Sequence, residues 1–148
     1  MTADIERLQE KYLNKDFDVK SFLIEAETTI RFAWLSGETH PKFINIDHPN
    51  FQAPPTFVGS LAGSRILPRD FPRFGVGMDA GKSVECFAPI RPGNKIIGKS
   101  HLHEIYAKTG RSGRMIFIVT RIEFFDKKEK QLANSDSRIV IAERQHGN

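Results

Sequence analysis

The sequence predicts an α+β fold in which short helices come first and an antiparallel sheet follows. Two stretches within the first 35 residues carry apolar side chains at helical spacing. After residue 82 the pattern changes to strands joined by short, turn-forming segments. Between these regions lie proline-rich loops and one short apolar segment. Helices followed by a run of adjacent strands are typical of a sheet whose helices lie together on one face.

Length and composition favour one domain, residues 1–148, with residues 1–15 as a helical extension. The chain has 148 residues, of which 39% are hydrophobic, including twelve phenylalanines. This composition is typical of a globular protein. No apolar run approaches the ~20 residues of a membrane helix, and the charged amino terminus does not resemble a signal peptide. Cys86 is the single cysteine, so no intrachain disulfide can form. We therefore expect a cytoplasmic protein without membrane insertion.

The net charge of +4 is compatible with an anionic ligand. Positive residues gather in the middle of the chain, at Arg65, Arg69, Arg73, Lys82, Arg91, Lys95 and Lys99. Such a field attracts the phosphates of coenzyme A or of nucleic acid, although a solvated surface explains most of these residues. They are not interleaved with aromatic residues on one predicted face, so we expect no nucleic-acid partner.

The first half of the chain contains two predicted helices and an extended segment. Residues 4–14 form a short amphipathic helix that docks on the rest of the molecule, with the apolar residues Ile5, Leu8, Tyr12 and Leu13. Residues 16–24 are a linker that runs into an extended segment. A second helix is predicted from about Glu27 to Leu35. Its apolar face consists of Ile30, Ala33 and Trp34, and Gly37 suits its end.

The second half begins with loops and ends in four predicted strands. Residues 36–55 are rich in loop-forming residues, and residues 56–62 form an apolar helical stretch that prolines open. No regular structure is assigned to residues 64–82. The strands are residues 83–89, 95–108, 114–125 and 131–143, with turns at 110–113 and 126–130. The strand 114–125 is apolar on both faces in its first half, which indicates a central position.

Three motifs, in this order along the chain, carry a resemblance to a known family. They are residues 32–43, residues 53–57, which read Ala-Pro-Pro-Thr-Phe, and residues 91–95, which read Arg-Pro-Gly-Asn-Lys. Together they resemble the MaoC-like hot-dog dehydratases and hydratases, in particular the fatty-acid-synthase-like branch. The resemblance runs from about Phe22 to Arg144. It implies a curved antiparallel sheet wrapped around one long, largely apolar helix that opens at residues 53–57.

The resemblance also implies a reaction. It is that of an (R)-specific enoyl-thioester hydratase or 3-hydroxyacyl-thioester dehydratase, which acts on thioesters of coenzyme A or acyl carrier protein and needs no cofactor. Active members carry the acid and base in a loop of the form Ser/Thr-Gly-Asp-x-Asn-Pro-x-His. Here Glu38 replaces the aspartate, His40 replaces the asparagine and Phe43 replaces the histidine. A phenyl ring cannot transfer a proton, so the usual dyad is broken.

Two explanations of the broken dyad are open. Glu38 and His40 form a displaced catalytic pair in an active homodimer, or the chain is the partner of a catalytic hot-dog chain that supplies the aspartate and histidine. The lost histidine favours the second explanation, in which the isolated chain is inactive. Glu38 can also be explained as a surface carboxylate, and His40 as a turn residue before Pro41. A non-enzymatic acyl-thioester-binding module is the alternative function.

Four residues at the predicted helix after Pro55 are candidates for substrate binding. Thr56 and Phe57 present backbone N–H groups at the positive end of the helix dipole, where they would stabilise an oxyanion at the thioester carbonyl. Gly59 and Ser60 lie one turn later and would line an acyl channel, although small residues also permit close contact between a helix and a sheet.

One further group of residues raises the question of a metal. His101 and His103 are two apart on a predicted strand and share a face, with Glu104 beside them. A metal would need a third ligand, for which His48 and His146 are candidates. Pairs of histidines on strands are more commonly exposed or interfacial, so we expect no metal site.

Overall fold

The computed structural model describes residues 4–143; His146 therefore lies outside the described residues. The elements are α1 Ile5–Tyr12, β1 Asp16–Leu23, α2 Ala26–Leu35, α3 Pro41–Ile44, a 3₁₀ helix Pro55–Ser60, β2 Gly75–Cys86, β3 Lys95–Gly110, β4 Gly113–Phe125 and β5 Gln131–Glu143. Among these, no helix has the length and apolar character needed to cross a bilayer.

The five strands form one antiparallel sheet in the order β1-β3-β4-β5-β2. Strand β4 is central, as its two apolar faces predicted. Strands β1 and β2 are the two edges of this sheet. The bounds of β3, β4 and β5 agree with the sequence-based expectation to within two residues, because each strand is flanked by a turn signal that does not depend on the rest of the fold.

The core lies on one face of the sheet, here called the inner face, in two clusters. The first cluster lies under the 3₁₀ helix, where Phe57 and Val58 contact Phe124 and neighbouring residues of the sheet. The second cluster lies under α1, where Leu8 and Tyr12 contact residues of β3 and β4. Each such buried side chain stabilises the fold by roughly 1.5–3 kcal/mol relative to an exposed one.

Helix α1 is the docking helix that the amphipathic pattern predicted. The side chain of Asp4 accepts a hydrogen bond from the N–H of Arg7 at 3.3 Å and caps the first turn. The Tyr12 hydroxyl donates to the carbonyl oxygen of Asp70 at 2.9 Å, and the Gln9 side chain donates to the carbonyl oxygen of Ile105 at 2.7 Å. These bonds tie α1 to the sheet and to the segment before β2.

The element after Pro54 is shorter than expected. A long apolar helix was predicted to open here, whereas the structure has a six-residue 3₁₀ helix, Pro55–Ser60. The chain then contains Gly63, Pro68 and Pro72, which do not support a continuing helix. The inner face beyond the 3₁₀ helix is covered by α1 and by Phe71 instead.

Strand β2 begins earlier than expected, at Gly75 rather than at Ser83. Its first residues are rich in glycine, which has low strand propensity. Pairing along the whole length of β5 overrides that propensity. At Gly75 a β-carbon would clash with the carbonyl oxygen of Ala142, so only glycine allows β2 to approach β5 this closely.

Candidate functional site

A turn at the end of α2 positions Glu38. Gly37 has a φ of +80°, the left-handed conformation that favours glycine after a helix. It allows the N–H of Glu38 to donate back to the carbonyl oxygen of Ala33 at 2.9 Å. The Glu38 side chain is thus held at the end of α2, where it is half-buried.

His40 follows on the surface and caps α3. Its Nδ1 accepts a hydrogen bond from the N–H of Lys42 at 3.1 Å. A neutral imidazole with an accepting Nδ1 carries its proton on Nε2, so His40 presents a donor rather than a base. Within residues 4–143, no hydrogen bond, ion pair or ring contact joins Glu38 to His40. The predicted pair is therefore close in sequence but not in side-chain contact.

Phe43 anchors this loop. Its side chain is 9% exposed, the ammonium group of Lys42 lies 5.0 Å from its ring centroid, and the ring of His40 lies 6.1 Å away. The position at which the resemblance predicts a proton-transferring histidine is thus occupied by a buried aromatic ring.

His48 joins the site, although the sequence suggested it only as a metal ligand. Its ring centroid is 6.1 Å from that of His40, and its Nδ1 accepts the N–H of Asn50 at 3.0 Å. A local signal for this arrangement exists in the repeated His-Pro pair. Because proline has no N–H, the donor two residues after the histidine is the first that the imidazole can cap.

The 3₁₀ helix changes the expectation for the oxyanion donors. The N–H of Phe57 donates to the carbonyl oxygen of Pro54 at 2.9 Å, because a 3₁₀ helix uses its N–H groups one residue earlier than an α-helix. The N–H of Phe57 is therefore already bonded within the helix, and its buried ring contacts Phe32 edge-on at 5.4 Å. The donor role of Phe57 stays a prediction. Thr56 is exposed, and its role as a donor stays a prediction.

Gly59 and Ser60 have structural roles in the same helix. A β-carbon at Gly59 would lie 3.2 Å from a methyl group of Val84, so the glycine lets the helix approach β2. The Lys82 ammonium donates to the Gly59 carbonyl oxygen at 2.7 Å, and the Ser60 hydroxyl donates to that of Phe57 at 2.6 Å. These bonds close the last turn of the helix. Whether either residue also lines an acyl channel stays a prediction.

An open cavity of about 530 Å³ lies where β1 ends and α2 begins. Its lining is mostly apolar and consists of Leu23, Ile24, Glu25, Ala26, Ile46, Phe51, Pro92 and Gly93. None of the six predicted site residues belongs to this lining. Ile46 and Phe51 nevertheless lie on either side of His48 in the chain, so the segment that carries both loop histidines also forms one wall of the cavity.

The geometry also bears on metal binding and on the reactivity of the Cys86 thiol. Across residues 4–143, no group of three or more His, Cys, Asp or Glu side chains is arranged to hold a metal ion. The Cys86 thiol donates to the carbonyl oxygen of Pro55 at 3.5 Å, and burial raises its pKa. A thiol in this state is protonated and inert.

The comparisons with known proteins agree with this architecture. The family model described as "FAS1-like, dehydratase domain region" matches residues 13–135. No curated protein matches the sequence significantly.

Solved structures share the fold at low sequence identity. A MaoC-like dehydratase from Phytophthora capsici has a TM-score of 0.67 and 18% identity over 94% of this chain and 53% of that one. The ChsH1–ChsH2 complex from Mycobacterium tuberculosis has a TM-score of 0.65 and 16% identity over 97% and 91%. The HadBC (3R-hydroxyacyl-ACP dehydratase) complex from the same organism has a TM-score of 0.61 and 15% identity over 86% and 99%.

The chain spans about half the length of the Phytophthora protein, 53%. At these identities the likeness shows the fold, and it confirms the α+β hot-dog architecture that the sequence predicted.

Proposed function

The chain belongs to the FAS1-like dehydratase domain family, and from this premise we propose that it is a subunit of an (R)-specific enoyl-thioester hydratase or 3-hydroxyacyl-thioester dehydratase. In this proposal a second hot-dog chain supplies the acid and the base. The present chain contributes surface for an acyl thioester of coenzyme A or acyl carrier protein, and the complex works in the cytoplasm.

The buried ring of Phe43 carries this proposal. General acid–base catalysis by one positioned side chain contributes typically ~10²–10⁴-fold to a rate, and a phenyl ring contributes none of it. The two remaining candidates do not contact each other, because His40 contacts His48 and Phe43 rather than Glu38; this supports a partner chain as the source of the acid and the base.

An open sheet edge supports a partner chain. Strand β2 pairs with β5 on one side only, and its Val76 is 70% exposed. Unpaired edges invite pairing with another strand. Trp34 and Leu35 are also exposed at the end of α2, beside the Gly37 turn, and a partner would cover them. Two of the similar structures are described as two-component complexes, ChsH1–ChsH2 and HadBC.

The open cavity beside α2 is compatible with the alternative of a non-enzymatic thioester-binding module. Its volume of about 530 Å³ falls within the roughly 300–1,000 Å³ of small-molecule sites, and an apolar cavity can bind an acyl group without any proton transfer.

The experiment that separates these functions measures hydration of crotonyl-CoA and longer enoyl-CoAs. The chain is assayed alone and together with a co-expressed hot-dog chain, encoded next to it, that retains the aspartate and histidine. We expect turnover only in the mixture, and turnover that depends on the partner's histidine. Activity of the isolated chain that disappears in Glu38→Gln and in His40→Ala, but not in the exposed control Asp47→Asn, would establish the active homodimer instead. Thioester binding without turnover in either setting would establish the module.

A further inference from the structure

A second group of titratable side chains lies on the outer face of the sheet, the face opposite the two core clusters. His101 is 7% exposed. Its Nε2 lies 3.2 Å from Nδ1 of His103, and its Nδ1 lies 3.5 Å from a carboxylate oxygen of Glu123. Leu102 pairs with Thr120 whereas Glu104 pairs with Val119, so His103 is the extra residue of a β-bulge. We call the side chains of Glu123, His101 and His103 the Glu–His–His array.

The carboxylate of this array is held in place from its other side. The second oxygen of Glu123 accepts a hydrogen bond from the Gln131 side chain at 3.1 Å, and the same amide donates to Asn134 at 2.6 Å. The other charged groups around His101 are Asp16 on β1 and Arg121 on β4. The Arg121 guanidinium is itself paired with Asp136 on β5 through two hydrogen bonds of 2.8 and 2.9 Å.

These contacts favour one placement of the ring protons. A carboxylate accepts hydrogen bonds and donates none, so Glu123 favours the proton of neutral His101 on Nδ1. In that placement the Nε2 of His101 is an acceptor, and His103 donates from its own Nδ1 across the 3.2 Å contact. The Nε2 of His103 therefore keeps its lone pair, at a half-buried position.

The array can hold one added proton but not two. A proton on Nε2 of His103 leaves the bond to His101 intact and makes it charge-assisted. Among the ring nitrogens, only Nε2 of His101 remains to accept a second proton, where the proton removes the lone pair on which the bond depends. Burial also lowers the pKa of His101, so it opposes this second proton.

The bulge also carries the attachment of α1. The N–H of Asn14, just after α1, donates to the carbonyl oxygen of Leu102 at 2.9 Å. The Gln9 side chain donates to that of Ile105 at 2.7 Å. His103 lies between these two acceptors, so a change in the bulge acts on both attachments.

We propose that the Glu–His–His array is a proton-operated switch that holds the bulge, and with it α1, against the sheet until a second proton separates His101 from His103. The switch belongs to the outer face and does not depend on the proposed function.

The first test reads the protons directly in the full chain. Nitrogen-15 chemical shifts at pH 7.5 should show the Nδ1–H form for His101 and for His103, whereas His40 and His48 should show the Nε2–H form. An Nε2–H form of neutral His103 overturns the proposal, and this measurement needs no variant.

The second test reads the attachment of α1. The amide protection of Asn14, corrected for intrinsic exchange, should fall at least tenfold between pH 7.5 and pH 5.0, while that of Ile118 in β4 should change by less than twofold. His101→Gln should abolish the pH dependence at Asn14, whereas the control His48→Gln should retain it. Unchanged protection of the wild-type amide, a parallel loss at Ile118, or a pH dependence that survives in a folded His101→Gln chain would each contradict the switch.

Discussion

At the scale of single residues, the neighbours of each histidine decide which ring nitrogen is free to donate or to accept. His40 and His48 each accept a backbone N–H at Nδ1 and so present a donor at Nε2. In the proton placement that the Glu–His–His array favours, His103 instead donates from Nδ1 to Nε2 of His101 and keeps a lone pair at its own Nε2. None of these states follows from the residue type, because a free imidazole adopts either tautomer. The hydrogen-bond partner of Nδ1 therefore decides whether Nε2 of each histidine is a donor or an acceptor.

The loop anchor can be tested by truncation. Replacing Phe43 with Ala removes a nearly buried ring and should destabilise the fold by about 3–5 kcal/mol, the range of Phe→Ala changes in cores. Phe43→Leu keeps most of the apolar volume and should cost much less. Urea denaturation of both variants measures the difference. A loss below ~1 kcal/mol in Phe43→Ala would mean that the ring does not anchor the loop.

Burial of His101 gives a prediction for stability against pH. Its folded-state pKa is lowered from the ordinary value of about 6.5, so the unfolded chain binds this proton more readily than the folded chain. The resulting stability is complete above pH 6.5 and is lost as the pH falls from there to the folded-state pKa. Urea midpoints of wild type and His101→Gln should therefore diverge less at pH 5 than at pH 7.5. A difference that is the same at both values would contradict the assignment.

At the scale of elements, the parts that the sequence predicted correctly are those with local causes. Helix α1 and strands β3 to β5 follow from periodicity and turn residues. The early start of β2 could not be predicted, because it depends on pairing with β5 and on a close approach that glycine alone allows. The helix predicted after Pro55 was too long, because prolines indicate where a helix begins but not how far it continues.

The close approach at Gly75 has a matched control two residues away. Gly75→Ala would place a β-carbon against the carbonyl oxygen of Ala142, whereas at Gly77 the nearest atom, in Ile141, lies 3.8 Å away. We expect Gly75→Ala to lower the free energy of unfolding by more than ~1 kcal/mol and Gly77→Ala to stay within ~0.5 kcal/mol of wild type. If urea denaturation gave the same free energy of unfolding for Gly75→Ala and Gly77→Ala, β2 could move away from β5 at Gly75 without loss of stability.

The candidate site shows the same division between local and long-range causes. The Gly37 turn and the proline after His40 are local, and the sequence placed them correctly. The burial of Phe43 and the contact between His40 and His48 arise from how the loop folds back on itself, with the Gln52 N–H bound to the Lys42 carbonyl oxygen at 2.9 Å. Spacing within a motif does not contain that information.

At the scale of the whole molecule, two separate segments cover the inner face of the sheet. The 3₁₀ helix covers the first core cluster, and α1 covers the second. The amino-terminal helix is therefore part of the core rather than an appendage. At the two edges of the sheet, β1 and β2 each pair with a neighbouring strand on one side only.

The two edges provide a matched test of assembly. Val76 on β2 and Val19 on β1 are both exposed, at 70% and 61%. A lysine at an edge opposes pairing with another chain. If the partner adds to β2, Val76→Lys should raise the dissociation constant of the complex at least about tenfold, a change of ~1.4 kcal/mol, while Val19→Lys should leave it unchanged. Analytical ultracentrifugation measures both, and a larger effect of Val19→Lys would assign the partner to the opposite edge.

The position of Trp34 has a practical consequence. It is the single tryptophan of the chain, it is 65% exposed, and it stands at the end of α2 beside the Gly37 turn. Its fluorescence should therefore emit as a water-exposed indole in the lone chain. A blue shift of that emission would report, without any added dye, that another molecule has bound at the Gly37 turn and shielded the indole from water.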